Sequence, residues 1–193
     1  MVLLIKRGGE PFMGSWALPG GFLNPDEDLD SCARRELSEE TGLEVEYLKQ
    51  FAIFSAPHRD PRERVISVAY LALVPADRVN PTAGSDAADV SWRYVDDLPD
   101  LAFDHAQIIQ EATAALRREA EGLAILLNLM PQRFTLSRLQ MAFEAICGAS
   151  ADKRNFRARI LASGLVEATE EMERGSHRPA QLYERRPKVR TGD

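Results

Sequence analysis

Glu36, Glu39 and Glu40 stand within five residues of one another, in a stretch from Gly20 to Val45, GGFLNPDEDLDSCARRELSEETGLEV, that is dense in carboxylates. If this stretch is helical, Glu36 and Glu40 are four residues apart and share a face, with Glu39 beside them. Like charges at that spacing repel, and a cation offsets the repulsion. Hard oxygen donors of this kind suit Mg²⁺ or Mn²⁺. Arg35 precedes Glu39 by four residues and can hold it by an ion pair. Gly20 and Gly21, just ahead of the cluster, let the backbone approach it closely.

The elements that must position these groups can be read from the pattern. DLDSCARRELSEETG places Leu29, Cys32, Ala33 and Leu37 on one helical face, and Gly42 stands where a C-terminal glycine is expected. Before it, VLLIKR reads as a strand and GGEPFMG as a loop. After it, LEVEYLKQ and FAIFSA read as strands, APHRDPRER as a loop, VISVAYLALVP as a central strand, and VSWRYVDDLP as a strand entering a turn. Asp104 is placed to cap a helix from about His105 to Arg118. Residues 1–118 are thus expected to form a layered α/β (α+β) domain, a mixed sheet between helices.

Beyond Gly122 the character changes. LAILLNLM reads as a short helix ended by Pro131. A second helix starts at Thr135, with Leu136, Leu139, Phe143 and Ile146 spaced for one face. A third, DKRNFRARILASG, turns Phe156, Ile160 and Leu161 inward, and LVEATEEMERGSHRPAQLYERR reads as two strands around a turn. Three short helices followed by a hairpin is the winged helix-turn-helix order, expected over residues 119–193.

Charge divides along the same line. Residues 1–116 hold 10 Lys and Arg against 20 Asp and Glu, and residues 117–193 hold 14 against 10, within a chain of net charge −6. An acidic first part and a basic second part suggest separate tasks, the second involving nucleic acid. Cys32 and Cys147 are the only cysteines; scattered as they are, they suggest neither a disulfide framework nor a zinc site, and point to the cytoplasm. No run of apolar residues is long enough for a membrane helix, and the N-terminal apolar run lacks the flanks of a signal peptide.

Gly21, Glu27, Arg35-Glu36, Leu37, Glu39-Glu40, Gly42 and Leu43 fill every defined position of the pattern glycine-x5-Glu-x7-Arg-Glu-aliphatic-x-Glu-Glu-x-Gly-aliphatic. The stretch is thereby identified as a Nudix box. The resemblance implies a Nudix fold and metal-dependent cleavage of a nucleoside diphosphate linked to another group. Glu36, Glu39, Glu40, Arg35 and Glu27 are its implied catalytic set, Glu27 orienting its neighbours. Glu36, Glu40 and the Gly20 carbonyl are its implied metal ligands. GSWALPGGF, HRDPRERVISVAYLAL and GSDAADVSWRYVDDLPDLAFDH resemble the ADP-ribose-handling branch. That likeness brings Arg59 and Arg62 near the ligand, where a guanidinium fits phosphate oxygens; as a bland alternative, both lie in a salt-bridged surface loop. His105 could touch the ligand or serve the helix start, and Trp16 could stack or pack. Domains of this branch begin with a strand ahead of VLLIKR, so the sheet here is expected to show a bare edge.

A Nudix part followed by a winged helix resembles the NrtR-type regulators of NAD metabolism. The resemblance implies a homodimer, ADP-ribose or a related NAD metabolite in the first domain, and a palindromic operator in double-stranded DNA under the second. Lys153, Arg154, Asn155 and Arg157 would lie in the recognition helix, with Arg159 farther along it. Arg138 would begin the preceding helix, and Arg178 would reach from the hairpin turn toward a minor groove. The competing reading is an ADP-sugar pyrophosphatase with an accessory winged helix that does not bind DNA.

Overall fold

The computed structural model describes residues 1–75, 87–173 and 179–186. They fall into two compact units, the first made of Met1–Leu73 and Val79–Ala115, the second of Val74–Arg78 and Leu116–Asp193. In the first, β1 (Val2–Arg7) pairs antiparallel with β2 (Trp16–Ala17) on one side and β5 (Ala87–Arg93) on the other. β1 itself is therefore not an edge. The segments read as two strands, LEVEYLKQ and FAIFSA, supply one strand, β3 (Tyr47–Phe54), which pairs antiparallel with β4 (Ser67–Leu73). β4 was expected to be central; among the described residues it has β3 alone as a neighbour. Its apolar run is satisfied instead by a cluster of Phe54, Ala69 and Ile108. The recorded strand pairs are antiparallel, and a parallel bridge joins Trp16 to Leu101.

Two helices serve this unit. α1 (Leu29–Thr41) starts where the Asp28 carboxylate accepts the Ser31 N–H at 2.8 Å. It stops at Gly42, whose left-handed backbone lets its N–H reach the Ser38 carbonyl. α2 (His105–Ala120) runs two residues beyond the expected end. The Asp104 carbonyl accepts from Gln107 and Ile108, while its carboxylate is engaged by Arg59 rather than by the helix start. Ile5, Ala17 and Ala102 form a second core cluster, with Val90 and Phe103 against it.

In the second unit the expected first helix is a 3₁₀ helix, Ala124–Leu129. Its apolar residues Ile125, Leu126 and Leu127 are all buried, so it contributes core rather than a free helical face. β6 (Arg133–Thr135) was not foreseen; three residues carry too little period to be read, and it forms by pairing with β8. Thr135 ends β6 and caps α3 (Leu136–Cys147), accepting the Arg138 N–H at 3.3 Å. Asp152 caps α4 (Lys153–Ala162) through the Asn155 N–H at 2.8 Å. β7 (Val166–Glu173) and β8 (Ala180–Arg185) complete a sheet of order β6-β8-β7. Phe134, Leu136, Leu139, Phe156, Ile160 and Val166 are buried in this unit; Leu136, Leu139, Phe156 and Ile160 do so on the helical faces their spacing gave them, while Phe143 and Ile146 are half-buried. Leu161, expected on the inner face, is exposed.

Candidate functional site

The two ends of α1 set the phase of its side chains. Glu36, Glu39 and Glu40 fall in its last two turns, where the Gly20–Gly21 segment returns. The Gly20 backbone, at φ +150°, directs its N–H to Glu40 Oε2 at 2.8 Å. A Cβ placed on Gly21 would lie 2.3 Å from Glu36 Oε1, so a glycine is what leaves room for that carboxylate. Two of the three glutamates thus rest against the same pair of glycines.

Arg35 fixes the rest. Its Nε and Nη2 take both oxygens of Glu27, at 3.0 and 2.6 Å, in a bidentate pair. Nη1 reaches Glu36 at 2.7 Å and Glu39 at 3.1 Å, and Nη2 also donates to the Phe22 carbonyl. The main partner of Arg35 is therefore Glu27, with Glu39 the longest of its ion pairs. The Arg35 guanidinium and the Asn24 N–H hold the Glu27 carboxyl down to about 2, and the carboxylates around Arg35 push its own pKa up.

A hard divalent cation fits this arrangement in donor type and in the shared position of Glu36 and Glu40 against Gly20 and Gly21. Among the described residues no three His, Cys, Asp or Glu side chains converge on one metal position. Glu39 turns to Arg35, and Gly20 meets Glu40 through its N–H. Glu36 and Glu40 are the two carboxylates seated on the glycine pair, the position that would suit a metal, and Arg35, itself paired to Glu27, holds Glu36.

In the second unit Lys153, Arg154 and Asn155 are exposed on the first turn of α4, while Phe156 and Ile160 on the same helix are buried. Arg157 is half-buried: its Nη2 donates to Ser137 Oγ at 3.2 Å, and its buried Nε has no partner among the described residues. Arg138 pairs with Glu173 of β7 at 3.3 Å. Arg159 donates to the Glu121 carbonyl, lies 5.9 Å from the Phe143 ring, and lines a pocket with Asn155 and Phe156. Arg178 lies outside the described residues.

Comparisons with known proteins agree with this division. A model of the NUDIX domain matches residues 1–116, and a model of the NrtR DNA-binding winged helix domain matches residues 126–184. The ADPR responsive transcriptional repressor NtrR of Acinetobacter baylyi is 39% identical over 186 residues, covering 94% of this chain and 74% of the relative. The chain belongs to the NrtR family. Shewanella oneidensis NrtR, solved with a 27mer DNA, superposes with a TM-score of 0.82 at 31% identity, over 95% of this chain and 85% of that one. The NUDIX domain of the same protein, solved with ADP ribose, matches 59% of this chain and 76% of that one at 35% identity, with a TM-score of 0.55. An ADP-ribose pyrophosphatase of Methanocaldococcus jannaschii is 41% identical over 57% of this chain and 64% of its own length. Nudix hydrolases generally use divalent metals, as the donor set here allows.

Within this NrtR-family chain, the four expected ligand residues separate. Arg59 is 5% exposed and wholly engaged: Nε and Nη2 pair with Asp104 at 2.8 and 2.6 Å, and Nη1 donates to Ser67 at 2.5 Å. It ties the 59–67 region to the start of α2, which is the structural alternative. Arg62 is 43% exposed; Asp60, itself buried, grips its Nε and Nη2 at 3.0 and 2.7 Å. That grip holds the Asp60 carboxyl down to about 2 and leaves the guanidinium at the surface. His105 is tied to the neighbouring backbone through one ring nitrogen. Its Nδ1 accepts the Leu18 N–H at 2.9 Å, and burial lowers its pKa to about 4, so it is neutral. At Trp16 the carbonyl accepts from Ala102, and Arg93 lies 5.0 Å over the half-buried ring. Asp60 and Asp104 were missed as the residues that decide between the two arginines. The Arg-Asp-Pro-Arg spacing carried a signal for Asp60; Asp104, 45 residues away from Arg59, carried none.

Proposed function

We propose that this chain is a transcriptional regulator whose Nudix domain binds ADP-ribose, or a related NAD metabolite, with Mg²⁺ or Mn²⁺, and whose winged helix binds a palindromic operator as part of a homodimer. The observation that carries the reading is the seating of Glu36 and Glu40 against Gly20–Gly21 in a chain whose second unit matches a DNA-binding winged helix over residues 126–184. A divalent metal, when bound, would neutralise the diphosphate and lower the pKa of a water. The protein supplies the rest. Glu36 and Glu40 would hold the ion, Arg35, fixed by Glu27, would keep Glu36 oriented while the Gly20 N–H orients Glu40, and Arg62 would meet the diphosphate with its exposed guanidinium. The basic first turn of α4, Lys153, Arg154 and Asn155, would meet DNA, with Arg157 and Arg138 behind it. Regulation follows if ligand-bound and ligand-free forms differ in DNA affinity. Two free cysteines and a DNA partner support a cytoplasmic location.

Turnover belongs to the proposal, because both carboxylates that fit the metal are present and supported. The engagement of Glu36 by Arg35 favours a second version, in which the domain senses ligand with little hydrolysis. Phosphorus NMR of ADP-ribose with purified protein and Mg²⁺ separates the two. Conversion of the diphosphate resonances into those of phosphomonoesters establishes hydrolysis. Broadening or shifting without conversion establishes a sensor, and unperturbed resonances overturn the ligand assignment.

A further inference from the structure

β7 reads VEATEEME, four glutamates in eight residues. Glutamate is a poor strand former and neighbouring carboxylates repel, so the acidity of β7 does not serve its own stability. β7 stands at one end of the sheet order β6-β8-β7. Charge on such a strand discourages pairing with another chain, and the exposed Glu170 is placed for that. Glu171 and Glu173 are engaged more specifically. Glu171 pairs with Arg133 of β6, across the intervening β8, and Glu173 pairs with Arg138 of α3 at 3.3 Å. Local backbone geometry supports the reach of Glu171. The register of β7 against β8 shifts between Ala168 and Met172, and a shift of this kind re-aims side chains. The Gln181 amide spans the irregular stretch, donating to the Thr169 carbonyl at 2.6 Å and to the Glu171 carbonyl at 3.1 Å. Thr169 Oγ1 accepts the Glu171 N–H at 3.2 Å.

Both arginines lie close to the start of α3. Arg138 follows Ser137, whose hydroxyl takes the Arg157 guanidinium of α4, and Arg133 stands two residues ahead of Thr135, the cap of α3. We infer that Glu171 and Glu173 are built-in stand-ins for DNA phosphates, holding the Arg133 and Arg138 guanidinium groups until a duplex displaces them and so setting how tightly the winged helix binds. The inference rests on the DNA reading above and adds Arg133 to the cations that meet the backbone. A carboxylate and a phosphate offer a guanidinium the same pair of anionic oxygens. The Arg133 and Arg138 side chains are 48% and 58% exposed, so a phosphate can reach either without disturbing the core. Pairs this exposed are weak enough to exchange. Each carboxylate freed on DNA is then left beside a polyanion, which opposes binding a second time.

The test compares full-length wild type with Glu171→Gln, Glu173→Gln and the double variant, by fluorescence anisotropy on a labelled random-sequence duplex at about 50 and about 200 mM salt. Each single variant is expected to bind about threefold more tightly at the lower salt, and the double variant about tenfold, the scale of exposed ion pairs. The gain shrinks at the higher salt, where such pairs are screened. Glu170→Gln makes the same change of charge on the same strand but belongs to neither pair, and is expected to shift affinity by less than about twofold. Adding Arg133→Ala to Glu171→Gln removes the gain of the latter, because no guanidinium is left to release. An equal gain from Glu170→Gln, or a gain that survives Arg133→Ala, reduces the carboxylates to general repulsion and overturns this inference while leaving the DNA reading standing. Unchanged affinity in the double variant does the same. Absence of binding by wild type and every variant at the lower salt overturns both.

Discussion

Arg35 and Arg138 both lie on helices and both face glutamates, yet they are held very differently. Arg35 is 26% exposed and engages three carboxylates and a carbonyl within 3.1 Å. Arg138 is 58% exposed and, among the described residues, its guanidinium has one ion pair, to Glu173 at 3.3 Å. Its neighbours in the second unit, Arg133 with Glu171 and Arg186 with Glu167, are likewise single pairs between exposed side chains. Pairs of that kind contribute roughly 0–1 kcal/mol and break easily. The acidic site is therefore set before a ligand arrives, whereas the basic surface holds its cations loosely enough to exchange a carboxylate for a phosphate. Preorganisation suits chemistry on one small molecule; exchangeable cations suit a polyanion bound by releasing counterions.

The largest expected effect tests whether the preset site is a metal site. Glu40→Gln removes a charge seated on Gly20 while keeping an oxygen for its N–H. Turnover of ADP-ribose should fall by more than the roughly 100-fold that a supporting residue contributes, with an unchanged melting temperature. Wild-type turnover in this variant would take Glu40 out of the metal site. Arg35→Lys comes next, because lysine cannot make the bidentate pair with Glu27 or span three carboxylates. Activity or metal affinity should drop roughly 10- to 100-fold, measured as turnover against Mg²⁺ concentration. A variant that behaved as wild type would show that the network is ornamental and dissolve the contrast with Arg138.

The contrast also marks what the sequence could and could not reveal. The spacing from Gly21 to Leu43 gave the helix, its last glycine and the shared face of Glu36 and Glu40, because those depend on local periodicity alone. It did not reveal that Arg35 turns mainly to Glu27, since that pair depends on the path of the loop before α1. The two arginines of the Arg-Asp-Pro-Arg loop were indistinguishable as letters. They part only when β4 and the start of α2 bring Ser67 and Asp104 to Arg59. In the second unit the caps Thr135 and Asp152 were local and legible or nearly so, whereas β6 exists only through its pairing with β8.

His105 offers a pH test of the same preset unit. Its folded pKa, about 4, lies below the ordinary histidine value of 6.5 because the ring is buried, so the folded state resists a proton that the unfolded chain accepts. Its contribution is complete above about pH 6.5 and is lost as pH falls toward 4, by up to about 3 kcal/mol at 1.36 kcal/mol per unit. Denaturant unfolding between pH 7 and pH 4.5 should show this loss in wild type, and His105→Gln should be less stable at pH 7 but flatter across the window. An equally steep profile in the variant would assign the loss to other groups.

The smallest effect tests the loose half. Glu173→Gln frees Arg138 without adding a cation, so the fold should hold, since an exposed pair is worth under about 1 kcal/mol. If Arg138 meets phosphate, nonspecific DNA affinity at low salt should rise a few-fold, as one fewer carboxylate competes and repels. Arg138→Ala should do the opposite and reduce the slope of log affinity against log salt by about one unit. Combining the two substitutions should abolish the gain from Glu173→Gln, because there is then no guanidinium left to release. A gain that survived in the double variant would mean that Glu173 acts only through long-range repulsion. Arg138 would then leave the DNA surface, and that surface would shrink to the first turn of α4 and Arg157.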